Sequence, residues 1–276
     1  MKKVKSTYVR KPPPWWSGPW IVAGAAILIL LVIGGIAVLA TLRSNSPTAP
    51  RNDAAVINQT SHVSANVFDQ VTPASNSIHP TSGSLIKTPD GKIKVLYIGS
   101  EACPYCAAER WSLVAALSRF GSFKGLALTS SASNDVYPNT PTFTFLHSSY
   151  SSDSISFDSV ELADHNGQPL QTPSPADQKL LDTYGKDGGT PFLLIGGKYG
   201  GSGSGYLPDL IQGKSWDQIA GGLSNSSATS TKGIIGEANM LSAAICQTNG
   251  GQPLSVCQST AVKQAIPILN KNKGSS

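Results

Sequence analysis

Between Trp20 and Leu42 the chain runs for 23 residues without a charge, and Thr41 at its end is the only polar side chain. A helix of that length, at about 1.5 Å per residue, would span about 34 Å, enough to cross a hydrocarbon core of about 30 Å. Trp15, Trp16 and Trp20 stand where an interfacial aromatic belt belongs. Lys2, Lys3, Lys5, Arg10 and Lys11 precede the run, and only Arg43 and Arg51 follow it closely. The positive-inside rule then puts residues 1–19 in the cytoplasm as a basic tail. Residues 20–42 become a single-pass anchor in the cell membrane, and the remainder is extracytoplasmic. A cleaved signal peptide is the competing reading, although its apolar region is normally about 7–15 residues and Ala37-Val38-Leu39-Ala40 is only a fair small-residue site. In either case the bulk of the chain lies where disulfides persist.

The anchor also accounts for the charge. The formal net charge is +5, but all seven basic groups of residues 1–52 sit beside the apolar run with no acidic partner, and residues 53–276 hold 14 basic and 16 acidic groups. The basic excess belongs to the membrane segment, so no nucleic-acid partner is expected. A hydrophobic content of 40% supports a packed core.

After a polar, Pro-containing linker at 43–55, residues 56–276 read as one domain. Val63, Val67, Phe68 and Val71 have the spacing of one amphipathic helix over 56–71. The turn Thr88-Pro89-Asp90-Gly91 separates Leu85–Lys87 from the apolar run Ile93–Ile98, a pattern expected of paired strands. A helix follows to about Gly121, with further strands near 125–128, 142–146 and 155–162. Ser174 with Pro175 predicts the start of a short helix. Phe192–Ile195, Gly196-Gly197 and Tyr199 read as a strand, a tight turn and a second strand. Ser215 and Gln218 form a capping-box pattern, and helical patterns occupy 232–246 and 257–269.

The chemistry-bearing motif is Cys103-Pro104-Tyr105-Cys106, between the apolar strand and the helix. A cysteine at a helix N-terminus meets unpaired N–H groups and the positive end of the dipole, both of which favour a thiolate. Cys103 is then the attacking sulfur and Cys106, three residues on, the resolving one. A structural disulfide and a zinc site are the bland alternatives. The zinc site would need two further ligands, and Cys246 and Cys257 stand 140 residues away. Glu101 and Glu109 flank the motif as candidates for proton transfer, although an exposed carboxylate in the first helical turns is the plainer reading of Glu109. His62, His79, His147 and His165 show no ligand or base spacing and read as surface residues. Cys246 and Cys257, ending one helical pattern and opening the next, read as a disulfide staple, with an electron relay to Cys103–Cys106 as the alternative.

Segments 93–120 and 189–200 resemble the thioredoxin superfamily, in which a Thr–cis-Pro packs across from the Cys-x-x-Cys. Thr190-Pro191 matches that element, and the resemblance implies its cis bond and a docking edge beside the sulfur, with Tyr105 as a further candidate contact. The Pro-Tyr dipeptide and the stretch from Thr190 to Gly201 are similar to those of glutaredoxins. Taken whole, the chain resembles an uncharacterised family of prokaryotic membrane-anchored thioredoxin-like proteins. It departs from the superfamily at Tyr97, where thioredoxins carry a buried acid, and at Ala102, where they carry Trp. The 88 residues between Cys103 and Pro191 require an insertion of about 40 residues. The fold class implied is α/β: an α+β three-layer thioredoxin-like domain with an insertion and C-terminal helices, preceded by one transmembrane helix. The function implied is thiol–disulfide exchange on protein substrates outside the cytoplasm. It needs no diffusible cofactor beyond the redox-active Cys103–Cys106 disulfide and no metal, but does need a membrane redox partner to reset the pair. A non-catalytic membrane-tethered binding module and a glutaredoxin-like reductase are the alternatives.

Overall fold

Every residue of Ile93–Gly99 except Lys94 is buried, so this segment must be covered on both faces. In the computed structural model, which describes residues 53–75, 77–185 and 189–271, it is an inner strand of a mixed five-stranded sheet. The elements begin with α1 (Asp53–Ser61), α2 (Ala65–Gln70), β1 (His79–Pro80), β2 (Ile93–Gly99) and α3 (Pro104–Leu117). Then come β3 (Ser122–Lys124), β4 (Ala127–Ser130), β5 (Pro141–Thr144), β6 (Ser149–Ser151), β7 (Ile155–Glu161) and α4 (Pro175–Tyr184). The chain continues through β8 (Phe192–Ile195), β9 (Tyr199–Ser202), a 3-10 turn at Pro208–Leu210 and α5 (Trp216–Gly222). It closes with α6 (Thr229–Thr248), α7 (Leu254–Cys257) and α8 (Thr260–Lys271), making eight α-helices among the described residues.

The sheet order is β1-β9-β8-β2-β7. β2 is parallel to β7, with Gly99 opposite Glu161, and antiparallel to β8, with Ile98 opposite Phe192. A parallel pair needs a long crossover, supplied here by α3 and the segment 122–151. Side-chain alternation along β2 splits the core. Val95 and Tyr97, with Leu193 and Ile195 of β8, enter the larger cluster with α3 and α6, whereas Leu96 and Ile98, with Phe192 and Leu194, pack against Leu180, Leu181 and Tyr184. Helices thus cover both faces of the sheet. Lys94 reaches out of β2 to Asp158 and, at 2.9 Å, to Asp177, tying α4 to the strands.

The helix carrying the cysteine motif is enclosed along its whole length, with Tyr105 its only residue that is not buried. Trp111 donates its indole N–H to the Pro141 carbonyl at 2.8 Å, and Ser112 donates to the Ile234 carbonyl of α6 at 3.0 Å. Gly196 and Gly197 both take positive φ (57° and 69°), and Lys198 donates back to the Ile195 carbonyl at 3.1 Å. This is the tight turn anticipated between β8 and β9, and its two positive φ values are those of a type I′ turn.

Several sequence expectations need correction. The first helix begins at Asp53, so residues 53–55 are not linker. The pattern over 56–71 forms two helices, because Ser64 takes extended backbone and its side chain caps the second by accepting from Val67 N–H at 3.4 Å. Val63 still packs against the larger core, which is why the apolar spacing continues through the break. Leu85–Lys87 pairs with β2 only through the single bridge Lys87–Ile93. The last helical pattern is interrupted after Cys257. The insertion after α3 is β-structured, in line with the strands expected near 125–128 and 142–146, and pairs β3 with β6 and β4 with β5. The apolar run 20–42 and the tail before it lie outside the described residues, among which no helix is long and apolar enough to cross a membrane.

Candidate redox site

Cys103 is the N-cap of α3, in extended backbone (φ −78°, ψ 123°), and Pro104 occupies the first helical position where no N–H is needed. Its sulfur accepts the Cys106 backbone N–H at 3.3 Å, so a thiol stands in for the usual capping oxygen. When protonated it donates to the Thr190 carbonyl at 3.6 Å. Thr190–Pro191 is a cis peptide bond immediately before β8, and the antiparallel pairing of β8 with β2 brings that carbonyl to the end of α3. Cys106 lies one turn deeper, fully buried, and its sulfur accepts the Ser100 N–H at 3.4 Å. Both cysteines are free thiols.

The two sulfurs are electrostatically unequal. Cys103 is held down to about 6 by the Cys106 thiol donating to it, helped by the backbone N–H groups of Cys106 and Tyr105 and the positive charge of Arg110, against the opposing effect of burial. Burial pushes Cys106 well above the ordinary thiol range, and its contact with Cys103 pushes it the same way. At neutral pH the pair therefore presents one thiolate at the half-buried position and one thiol beneath it.

Of the other sequence candidates, Tyr105 is half-buried at the rim, edge-on to Tyr137 with ring centroids 6.0 Å apart. Tyr137 comes from the loop 131–140 of the insertion, which is pinned beside the site by Ala132 donating to the Ala102 carbonyl at 2.9 Å. Glu109 is not the exposed carboxylate expected. It is wholly buried against Glu237 of α6, and burial together with the Glu237 charge raises it well above the usual carboxylate range. Glu237 is raised too, chiefly by burial, and accepts Ser77 Oγ–H at 2.7 Å. The two carboxyls share a proton. Glu101 is also buried and accepts Thr129 Oγ1–H at 3.3 Å. All four histidines are exposed, and among the described residues no group of three or more His, Cys, Asp or Glu side chains is placed to hold a metal. Cys246 and Cys257 are joined in a disulfide, with Cα atoms 5.5 Å apart.

The residues that the sequence reading missed are Arg110 and Glu161. Both are fully buried, and Arg110 donates from Nε and Nη2 to the two oxygens of Glu161 at 3.0 and 2.6 Å. Burial works against the guanidinium charge, but Glu161, Tyr97 and Cys106 together keep it positive. The available signal was a single cation in the helix, one turn after Cys106, and a second acid, beyond Asp158, at the end of a strand.

Comparison with known proteins places part of this arrangement. A family model described as a domain of unknown function, DUF929, matches residues 84–181. That stretch, about a third of the chain, contains Cys103, Cys106, Arg110 and Glu161 but ends before Thr190-Pro191 and the C-terminal helices. No curated protein and no solved structure matches the chain.

Proposed function

We propose that the chain is a thioredoxin-like thiol–disulfide oxidoreductase, anchored in the membrane by residues 20–42 and acting on protein thiols outside the cytoplasm through Cys103 and Cys106. The observation that carries this reading is the inequality of the two sulfurs: a partly accessible thiolate at a helix N-cap, facing a cis-proline carbonyl, above a buried thiol. A purely structural pair has no use for that asymmetry. The parallel β2–α3–β7 unit with Cys-x-x-Cys at its first strand-to-helix turn supports the thioredoxin-like assignment.

In the reducing direction the Cys103 thiolate attacks a substrate disulfide, forming a mixed disulfide and expelling one substrate thiolate. That thiolate takes the Cys106 proton. The Cys106 thiolate then attacks the Cys103 sulfur, closing the Cys103–Cys106 disulfide and releasing the second substrate sulfur as thiolate. The oxidising direction is the reverse.

The test is trapping. The full-length Cys106→Ser chain, mixed with a disulfide-bonded peptide, is expected to accumulate a covalent adduct at Cys103 that a reductant releases, and Cys103→Ser to form none. Absence of any adduct contradicts the reading. An adduct with oxidised glutathione but none with the peptide would mark a glutaredoxin-like reductase instead.

A further inference from the structure

The cysteine pair backs onto a buried ion pair that the exchange chemistry above does not by itself require. Arg110 lies four residues after Cys106 on α3, so the two share one face of the helix, one turn apart. Its guanidinium is clamped through two of its nitrogens by Glu161, at the end of the strand parallel to β2, and the third nitrogen, Nη1, is buried with no protein partner. The guanidinium carbon stands 5.6 Å from the centre of the Tyr97 ring. The Tyr97 hydroxyl is likewise buried without a protein partner and lies against Gly99, where a Cβ atom would come within 2.1 Å of it. The next residue, Ser100, gives its N–H to the Cys106 sulfur. One enclosed region at the end of β2 thus holds a cation, a phenol and the deeper sulfur. Arg110 favours the charged form of both cysteines.

Stability does not explain this ion pair. A buried salt bridge is often matched or bettered by apolar side chains of the same volume, because desolvating two charges offsets most of their attraction. Beyond Glu109, Arg110 and Ser112, the rest of α3 after Cys106 is Trp, Leu, Val and Ala. We propose that Arg110, oriented by Glu161, is the positioning charge that lets Cys106 ionise and resolve the mixed disulfide. The inference rests on the exchange reading above. In the resolving step the Cys106 proton goes to the expelled substrate thiolate. Arg110 accepts no proton and forms no bond, and it stabilises the Cys106 thiolate where water cannot reach. Tyr97, on β2, sets its ring against the guanidinium.

The decisive variant is the full-length double substitution Arg110→Met/Glu161→Gln, which removes both charges and so leaves no unpaired buried ion. A mixed disulfide is preformed at Cys103 with a small thiol, and its release by Cys106 is followed against pH. The expected result is release about tenfold slower at pH 7, with the midpoint of the pH–rate profile raised by about one unit. Arg110→Lys, with Glu161 intact, is expected to recover most of the loss. A folded double variant with wild-type release and an unshifted midpoint overturns the proposal. Should the double variant not fold, the wild-type chain provides the test. A buried charge is poorly screened, so the midpoint is expected to hold from low salt to about 1 M, whereas a rise of about a unit places the stabilising charge at the surface and overturns the proposal. Failure of the exchange reading looks different: the wild-type chain then forms no mixed disulfide at all.

Discussion

A carboxyl group one turn after Cys106 invites assignment as a proton acceptor, and the fold sets Glu109 in a buried site against a second carboxyl. Its oxygens meet Glu237 on α6, and Gly205 is packed so close that a Cβ there would lie 2.2 Å from the Glu237 carboxyl carbon. Two like carboxyls in a dry site cannot both ionise, so the folded chain retains a proton that the unfolded chain releases. Because the folded values are raised, this pair stabilises fully below the ordinary glutamate range and loses its contribution as pH rises through the folded values. Glu109→Gln supplies a permanent hydrogen-bond donor at the same place. It is expected to raise stability at pH 8 by about 1–3 kcal/mol, the cost of a buried polar group left unsatisfied, and to flatten the alkaline fall in Tm. Thermal melts of both chains from pH 5 to 9 check this, and a variant less stable than wild type at pH 8 would contradict the shared proton.

At the scale of elements, what was legible in the sequence was local. Ser174 caps its helix by accepting from Asp177 N–H, as the Ser174-Pro175 pair indicated, and Ser215 forms the expected capping box with Gln218. The Gly196-Gly197 turn and the Cys103 cap were readable for the same reason. The Arg110–Glu161 pair joins residues 51 positions apart, and Tyr137 reaches Tyr105 through an insertion whose pairing no local pattern announces. Such contacts depend on sheet order, which periodicity does not encode. Glu109 was misjudged because α3 is covered on every side, so an early helical position gave no access to solvent. The Cys246–Cys257 staple lies between these cases, since its spacing suggested a bond and the fold supplies it across the α6–α7 junction. Closing a loop of this size restricts the unfolded chain by about 3 kcal/mol. The double change Cys246→Ser/Cys257→Ser is therefore expected to lower stability by about that amount in denaturant titration, with thiol exchange at Cys103 unaffected. A folded double variant that has lost turnover would instead make this pair an electron relay.

For the whole molecule, sheet, helices and insertion converge on the C-terminal end of β2, where strand ends and a helix N-terminus place backbone donors around two sulfurs. The mixed α/β architecture sets the geometry there, and the Cys106–Cys103 hydrogen bond together with the burial of Cys106 makes the two thiols unequal, the inequality on which the proposed attacking and resolving roles rest. Lowering the attacking thiol stabilises the reduced pair, so the disulfide becomes a better oxidant as that value falls. The most direct test is the reduction potential of Cys103–Cys106 in the full chain with Cys246–Cys257 intact, measured by equilibration against glutathione. With Cys103 at about 6, between thioredoxin-like and strongly oxidising thiols, a value between about −120 and −270 mV is expected. A pair that stays oxidised below about −300 mV is a structural staple, and would contradict exchange as the function of this site.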